Sequence, residues 1–208
     1  MSRAKTAASS APAATSDSKL SARTLQKAER TDLLLSEAAR LFAGKGFRGV
    51  SLEEIASAVG ISGPALYRHF SNKQAILAAV LSDVSNRLLE GGRERVEAAA
   101  SPREALLALI DFHADFALGE TDRIRVHNRD LRTLEDDASD VVRRAQRDYV
   151  ELWVDQLVKL GESDRIVARL KAQAAIGLLN STPHSVRHGD PEQVKPVLER
   201  MTLAALLA

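Results

Sequence analysis

A chain of 208 residues, 45% hydrophobic and 27% charged, is long enough to bury a substantial core as one domain or two small ones, in the composition range of ordinary globular proteins. The absence of cysteine excludes disulfide frameworks, thiolate metal sites and cysteine nucleophiles together, and no apolar run approaches the ~18 residues that a membrane span requires. Formal net charge is only +1, but residues 1–27 hold five basic side chains against one acidic, residues 28–87 seven against six and the remainder 17 against 21, so the basic excess lies at the N-terminal end and steers that end toward polyanions.

Residues 1–23, rich in Ala, Ser and Thr and poor in large apolar side chains, read as a disordered basic tail that buries too little surface to offset the entropy of ordering. That opening lacks the apolar core of a secretory leader, so a cytoplasmic protein is expected. From Leu25 to Gly44 the residues Leu33, Leu34, Ala38, Leu41 and Phe42 recur at helical spacing, and Gly44 and Gly46 close the helix. Ser51 with Glu54 has the pattern of a capping box, after which Leu52, Ile55, Ala56 and Val59 form one apolar stripe. Gly60 supplies a left-handed stop and Pro64 suits a first helical turn, so a second short helix follows a tight turn, packing Leu66 and Phe70 inward.

The rest of that helix surface carries Ser62, Gly63, Ala65, Tyr67, Arg68 and His69, which combine hydrogen-bond donors with small side chains, as a helix entering the major groove requires. Lys73 follows at the start of a helix capped by Asn72 and running to Leu89, where Gly91-Gly92 is expected to interrupt the chain. Residues 24–89 are therefore read as a helix-turn-helix DNA-binding domain and residues 93–208 as a larger helical domain. In the latter, Ser101-Pro102 with Glu104 signals a helix start ahead of the stripe Leu106, Leu109, Ile110, His113 and Phe116, and further helices are expected near 121–132, 138–160, 163–180 and 191–206, with no period-two segment long enough for a sheet, so the fold class is all-α.

At Phe47 to Leu77, FRGVSLEEIASAVGISGPALYRHFSNKQAIL, the chain closely resembles the DNA-binding domain of the TetR family, the combination of GIS, YRHF and a following lysine being specific. The resemblance implies that Ser51, Tyr67, His69 and Lys73 hold phosphates, while Ser62, Gly63, Pro64, Ala65 and Arg68 lie at or near the bases. The family more often has threonine at position 51 and a lysine near 63 or 64. Gly63-Pro64 offers no side-chain donor, which shifts base readout toward Ser62, Arg68 and Arg48. It also implies a homodimer that grips a palindromic double-stranded operator, and a second domain that binds a small-molecule effector.

For the dimer, the small residues Ala168, Ala172, Ala174, Ala175 and Gly177, and the apolar Val194, Val197, Leu198, Met201, Ala204 and Ala205, suit either helix pairing between subunits or burial within one. Family resemblance favours pairing. Effector candidates are Phe112, His113, Phe116, Tyr149 and Trp153, which mix aromatic surface with a few polar atoms, joined by Arg129 and Asn180 and by Asn128, Arg132 and His184. The phrases HNRDLRTL and GLLNSTPHS are similar to a TetR subgroup of actinomycete-type genomes, for which acyl-CoA thioesters and other lipid-derived effectors are expected. Arg143, Arg144 and Arg147 offer grips for a phosphorylated effector, although a solvated helix face accounts for them as well.

Neither a metal nor another cofactor is implied. His184 and His188 stand four apart, but Pro183 and Gly189 argue against a helix there. An enzyme on a helical bundle lacks a nucleophile elbow, a phosphate-cradling glycine loop or a metal signature, and an architectural DNA binder would have no cavity in its second domain. The expected function is a repressor released from its operator by its effector.

Overall fold

The computed structural model describes residues 14–182 and 190–208, with side chains from residue 26 onward except those of residues 27 and 136. Nine α-helices and one 3-10 turn make up the described residues, and no strand occurs among them. They are α1 (Ala14–Lys45), α2 (Leu52–Ala58), α3 (Gly63–Tyr67), α4 (Lys73–Ala98), α5 (Pro102–Gly119), α6 (Thr121–Asp130), the 3-10 turn Leu131–Thr133, α7 (Asp136–Lys159), α8 (Arg165–Leu179) and α9 (Pro191–Leu207). His184 and His188 lie outside the described residues. Among the described residues, no helix is long and apolar enough to cross a membrane.

Two departures from the sequence reading stand out. Helix α1 begins at Ala14, well before Leu25, so residues 14–23 are helical where a disordered tail was expected; residues 1–13 are outside the description. Neither glycine nor proline interrupts 14–43, and once the buried turns around Leu34 and Ala38 have nucleated the helix, extension costs little per residue. Gly91-Gly92, expected to break the chain, lies inside the continuous helix α4. A Cβ on Gly91 would clash with the end of the Phe112 ring, and one on Gly92 would sit 2.7 Å from Tyr149 Cε2. The pair lets α5 and α7 approach α4 closely, and packing on both sides overrides the weak helix propensity of glycine.

Two apolar clusters result. One joins α4, α5, α7, α8 and α9 through Leu88, Leu106, Ile110, Trp153, Ala172 and Leu198. The other fills the N-terminal head with Leu34, Ala38, Phe42, Ile55, Leu66, Ile76 and Leu77, and it recruits Val126, Leu134 and Val142 from beyond the head. Arg123 on α6 is only 2% exposed and ties the two parts together. It donates to Asp32 Oδ1 and Ser36 Oγ on α1, each at 2.6 Å, and pairs with Asp83 of α4 and with Glu120.

The small residues of α8 divide by face. Ala168, Ala172 and Ala175 are buried inside the subunit, so they serve internal packing rather than pairing between copies, while Ala174 and Gly177 face outward. On α9, Leu198, Thr202 and Leu206 point inward and Val197 and Met201 are exposed.

Candidate nucleic-acid interface and ligand cavity

Ser51 caps α2 as the spacing predicted: its Oγ accepts from Glu54 N at 3.1 Å, and Ser51 N donates to Glu54 Oε2 at 2.8 Å. Glu54 also receives Lys45 Nζ at 2.6 Å, binding α1 to the start of α2. Gly60 turns the chain with φ +69, a left-handed value that penalises any Cβ, and Ile61 N then donates back to Ala56 O at 3.0 Å. Pro64 stands in the first turn of α3. Ile55, Ala56 and Leu66 are buried and lock α2 to α3.

This frame leaves Ser62, Pro64, Tyr67, Arg68 and His69 exposed, with Gly63 and Ala65 half-buried, and the Ser62 hydroxyl makes no cap bond. Helix α3 ends at Tyr67, so Arg68 and His69 continue it as a turn held by His69 N and Phe70 N on Leu66 O. Arg68 and His69 also line an open groove against Arg30 and Leu33 of α1. Arg48 is exposed nearby in the loop before Ser51. Lys73 is more occupied than its sequence position suggested. Its Nζ donates to Val50 O at 2.7 Å and lies 4.7 Å from the centre of the Phe47 ring, so the lysine pins the loop that leads into α2.

A second feature lies in the helical body, a cavity of about 160 Å³. His113, His127, Gln146, Tyr149 and Asn180 supply its polar atoms, and Leu88, Val150 and Ile176 its apolar wall. His113 Nε2 faces Asn180 Oδ1 at 3.0 Å and Nδ1 faces the Tyr149 hydroxyl at 2.9 Å. Because the amide oxygen only accepts, Nε2 donates to it and Nδ1 accepts from the tyrosine, which selects one neutral tautomer. Trp153 packs edge-on to both rings from behind. Three of the sequence candidates, His113, Tyr149 and Asn180, thus meet at one cavity.

Of the other described candidates, Phe112, Phe116, Trp153, Asn128, Arg129 and Arg132 do not line it. Phe112 stacks under Arg95, and Phe116 under Arg87. Arg129 donates to Phe42 O at 2.7 Å and pairs with Asp130, so it joins α6 to α1 and serves the junction with the head. Sequence reasoning missed His127 and Gln146, whose Nε2 atoms lie 2.6 Å apart. They come from different helices, 19 positions apart, and no local spacing flags them.

Burial lowers the pKa of His113 to about 4 and holds that of His127 below the ordinary histidine range. Burial also pushes the Tyr149 hydroxyl up, so it remains a donor. Between about pH 4 and about 6.5 the unfolded chain binds the His113 proton and the folded chain does not, so folding stability rises with pH across this window. The unfolding free energy from urea titration should therefore fall on acidification from pH 7 to 4.5, by about 2 kcal/mol for this one group. His113→Gln should flatten the curve; an equally steep curve in that variant would remove His113 as its source.

Helices throughout the described residues, with a short, exposed helix held by a capped partner and a glycine turn on a head bolted to a cavity-bearing body, make the architecture of a helix-turn-helix DNA-binding protein. Residues 34–80 match the family described as bacterial regulatory proteins, tetR family, and residues 99–201 match the tetracyclin repressor-like C-terminal domain. This chain belongs to the TetR family.

Among curated relatives, the transcriptional repressor KstR2 of Mycolicibacterium smegmatis is 32% identical over 135 residues, 64% of this chain and 65% of the relative. The transcriptional activator FasR of the same organism is 34% identical over 92 residues, 44% of this chain and 42% of that protein. The chain thus spans between about two fifths and two thirds of the length of these relatives. AibR, solved in complex with isovaleryl coenzyme A and operator DNA, superposes with a TM-score of 0.71 at 22% identity, covering 83% of this chain and 97% of AibR. The named relatives are regulators, not enzymes.

Proposed function

We propose that the protein is a homodimeric, sequence-selective DNA-binding repressor, released from a pseudo-palindromic operator by a small-molecule effector of the acyl-CoA or other lipid-derived class. The observation that carries this reading is the α2–turn–α3 unit, whose inner face is locked by Ile55, Ala56 and Leu66 while Tyr67, Arg68 and His69 stand exposed. In this reading Ser51, Tyr67 and His69 meet phosphates and hold the register, whereas Ser62 and Arg68, with Arg48 beside them, read base edges. Lys73 acts partly through the loop it pins.

Support for the dimer comes from α8 and α9, which pack on each other and where Ile166 and Leu170, and Val197 and Met201, each pair one turn apart, are 68%, 61%, 44% and 52% exposed. Such a stripe favours burial against a second copy. A two-fold axis there sets two α3 helices roughly 34 to 36 Å apart, one turn of the double helix. Release follows if the effector favours a dimer in which that spacing fails. Helices α4 and α6 run from head to cavity, so a ligand against Leu88 or His127 acts on elements that also carry Lys73 and Arg129. A switch from almost wholly bound to almost wholly free needs about 5.5 kcal/mol of differential affinity. AibR, bound to both an acyl thioester and DNA, and the repressor KstR2 support the class of regulator.

Gel-shift titration of DNA upstream of the protein's own gene tests the reading. Wild-type protein is expected to shift it with strong salt dependence. Tyr67→Ala should weaken binding to any fragment, and Arg68→Ala should cost about ten-fold or more on the specific one. The pair Leu170→Asp and Met201→Asp should sediment as a monomer and lose the shift. A monomeric wild-type protein, or a shift indifferent to Arg68 and Tyr67, would overturn the proposal.

A further inference from the structure

The N-terminal part of α1 has no apolar anchor among its described side chains. Each of these before Leu34 is exposed, and Leu34 is the first that is buried. Residues 14–33 thus precede the packed part of α1 as a stretch of helix about 30 Å long. An isolated helix of this size is marginal in water, so a contact outside the subunit would give it a reason to persist.

The charges on this stretch are sorted by face. Lys19, Arg23, Lys27 and Arg30 recur at i, i+4, i+8 and i+11, which places the four positions within about 80° of one another around the helix. Asp17, Glu29 and Asp32 all fall on the opposite side. Two contacts fix how these faces are turned. Asp32 receives Arg123 of α6 at 2.6 Å, so the acidic face is turned to the body. Arg30 and Leu34 line the open groove whose other wall is Ile61 of the turn with Ala65, Arg68 and His69, so the basic face lies on the side of α3. Arg30, like Arg68 and His69, is exposed and has no ion-pair partner among the described residues.

We propose that the basic face of α1 is a second DNA-gripping surface, which holds phosphates of the duplex flanking the segment that α3 enters. The row starts beside Arg68 and runs N-terminally from Arg30 to Lys19 over about 16 Å, the length of about five base pairs. Its cations attract the backbone whatever the sequence, by releasing counterions, and such contacts orient a protein without reading bases. A lipid surface does not fit, because Leu20, Leu25 and Leu33 fall on three different faces and the helix has no apolar side to immerse. A solvated helix accounts for scattered charges, but not for a row of four cations that begins at the reading helix and has the acids behind it. This assignment rests on the DNA-binding reading above and adds to it a longer footprint.

Anisotropy titration of the full chain tests it with two duplexes centred on the upstream segment that wild type protects, one of about 20 base pairs, enough for two half-sites one turn apart, and one of about 40. Wild type is expected to bind the longer duplex about ten-fold tighter or more. The combined variant Lys19→Gln, Arg23→Gln and Lys27→Gln should keep its thermal melt, hold the shorter duplex within about two-fold of wild type and lose the preference for the longer one. On the longer duplex its log Kd should depend on log salt less steeply by about 3 or more, since three cations leave each subunit at up to about 0.9 per contact. No flank preference in wild type, a preference kept in the variant or an equal loss on both duplexes would each overturn the assignment. So would a variant that loses affinity for phosphatidylglycerol vesicles while holding the longer duplex as wild type does. Wild-type protein that shifts no upstream DNA sinks the regulator reading too, whereas a shift without flank preference sinks this inference alone.

Discussion

Replacing Arg123 by Ala is expected to destabilise the protein by about 3 kcal/mol and to loosen the head from the body. The guanidinium is almost wholly enclosed and meets Asp32, Ser36, Asp83 and Glu120, groups from α1, α4 and the start of α6. Removing it takes the ion pair from Asp32 and leaves Asp83 and Glu120 to share Arg87 alone. Asp83 is the sensitive one, because burial already raises its pKa even with Arg123 and Arg87 beside it. For a chain of this length the loss corresponds to a fall in Tm of roughly 6 to 12 °C, measured by circular dichroism. Arg123→Lys keeps one charge but not the fork, and should fall between. If the Ala variant melts within 2 °C of wild type (about 0.5 to 1 kcal/mol), the cluster is not a structural bolt.

Gly92→Ala should destabilise by about 1 to 2 kcal/mol, and Gly92→Leu by more, although alanine is the better helix former by about 1 kcal/mol. Sterics outweigh propensity here because the new Cβ meets the Tyr149 ring at 2.7 Å and Leu152 Cδ1 at 3.1 Å. Tyr149 has nowhere to go: it is buried, bonded to His113 and flanked by Trp153. At Gly91 the clash is with the outer end of the half-buried Phe112 ring, which can swing, so Gly91→Ala should cost less. Gly44→Ala is the control, since open space surrounds its Cβ and the propensity gain stands alone. Chemical denaturation of the three variants decides the order; a Gly92→Ala variant more stable than wild type would mean that the close approach of α4 and α7 carries no constraint. Because Tyr149 lines the cavity, the same variant is also expected to weaken ligand binding.

Much of this was legible before any coordinates. The Ser51 capping box, the stop at Gly60, Pro64 at the head of α3 and the periodic Leu, Ile and Ala positions are local signals, set by hydrogen-bond geometry and side-chain spacing within a few residues. They yielded the all-α class, the helix-turn-helix and the exposed identity of Tyr67, Arg68 and His69. Chain periodicity was also enough to place α6 to α9 within a few residues of their observed bounds, and the Ser101-Pro102 signal marked the start of α5.

Local rules misread Gly91-Gly92 for a definite reason. The same two glycines break an isolated helix and permit a packed one, and only the presence of Phe112 and Tyr149 opposite decides between them. Arg129, named for an effector, turned to α1, whereas Arg123, one charge among many in DRIRVHNRD, became the most enclosed cation of the junction. Ala168, Ala172 and Ala175 of α8, which suited either an internal or an external partner, went inward, leaving Ala174, Ile166 and Leu170 outside.

The amino-acid order by itself determined where the capped helices α2, α3, α4 and α5 start and which face of each is apolar, because those choices are settled between residues three or four apart. Tertiary structure alone decided which side chains share a space: His113 with Tyr149 and Asn180, Gln146 with His127, and Arg143 with Arg169. Such pairings depend on how whole helices cross, and that is fixed by the summed packing of the core, as at Gly92, rather than by any short stretch of chain.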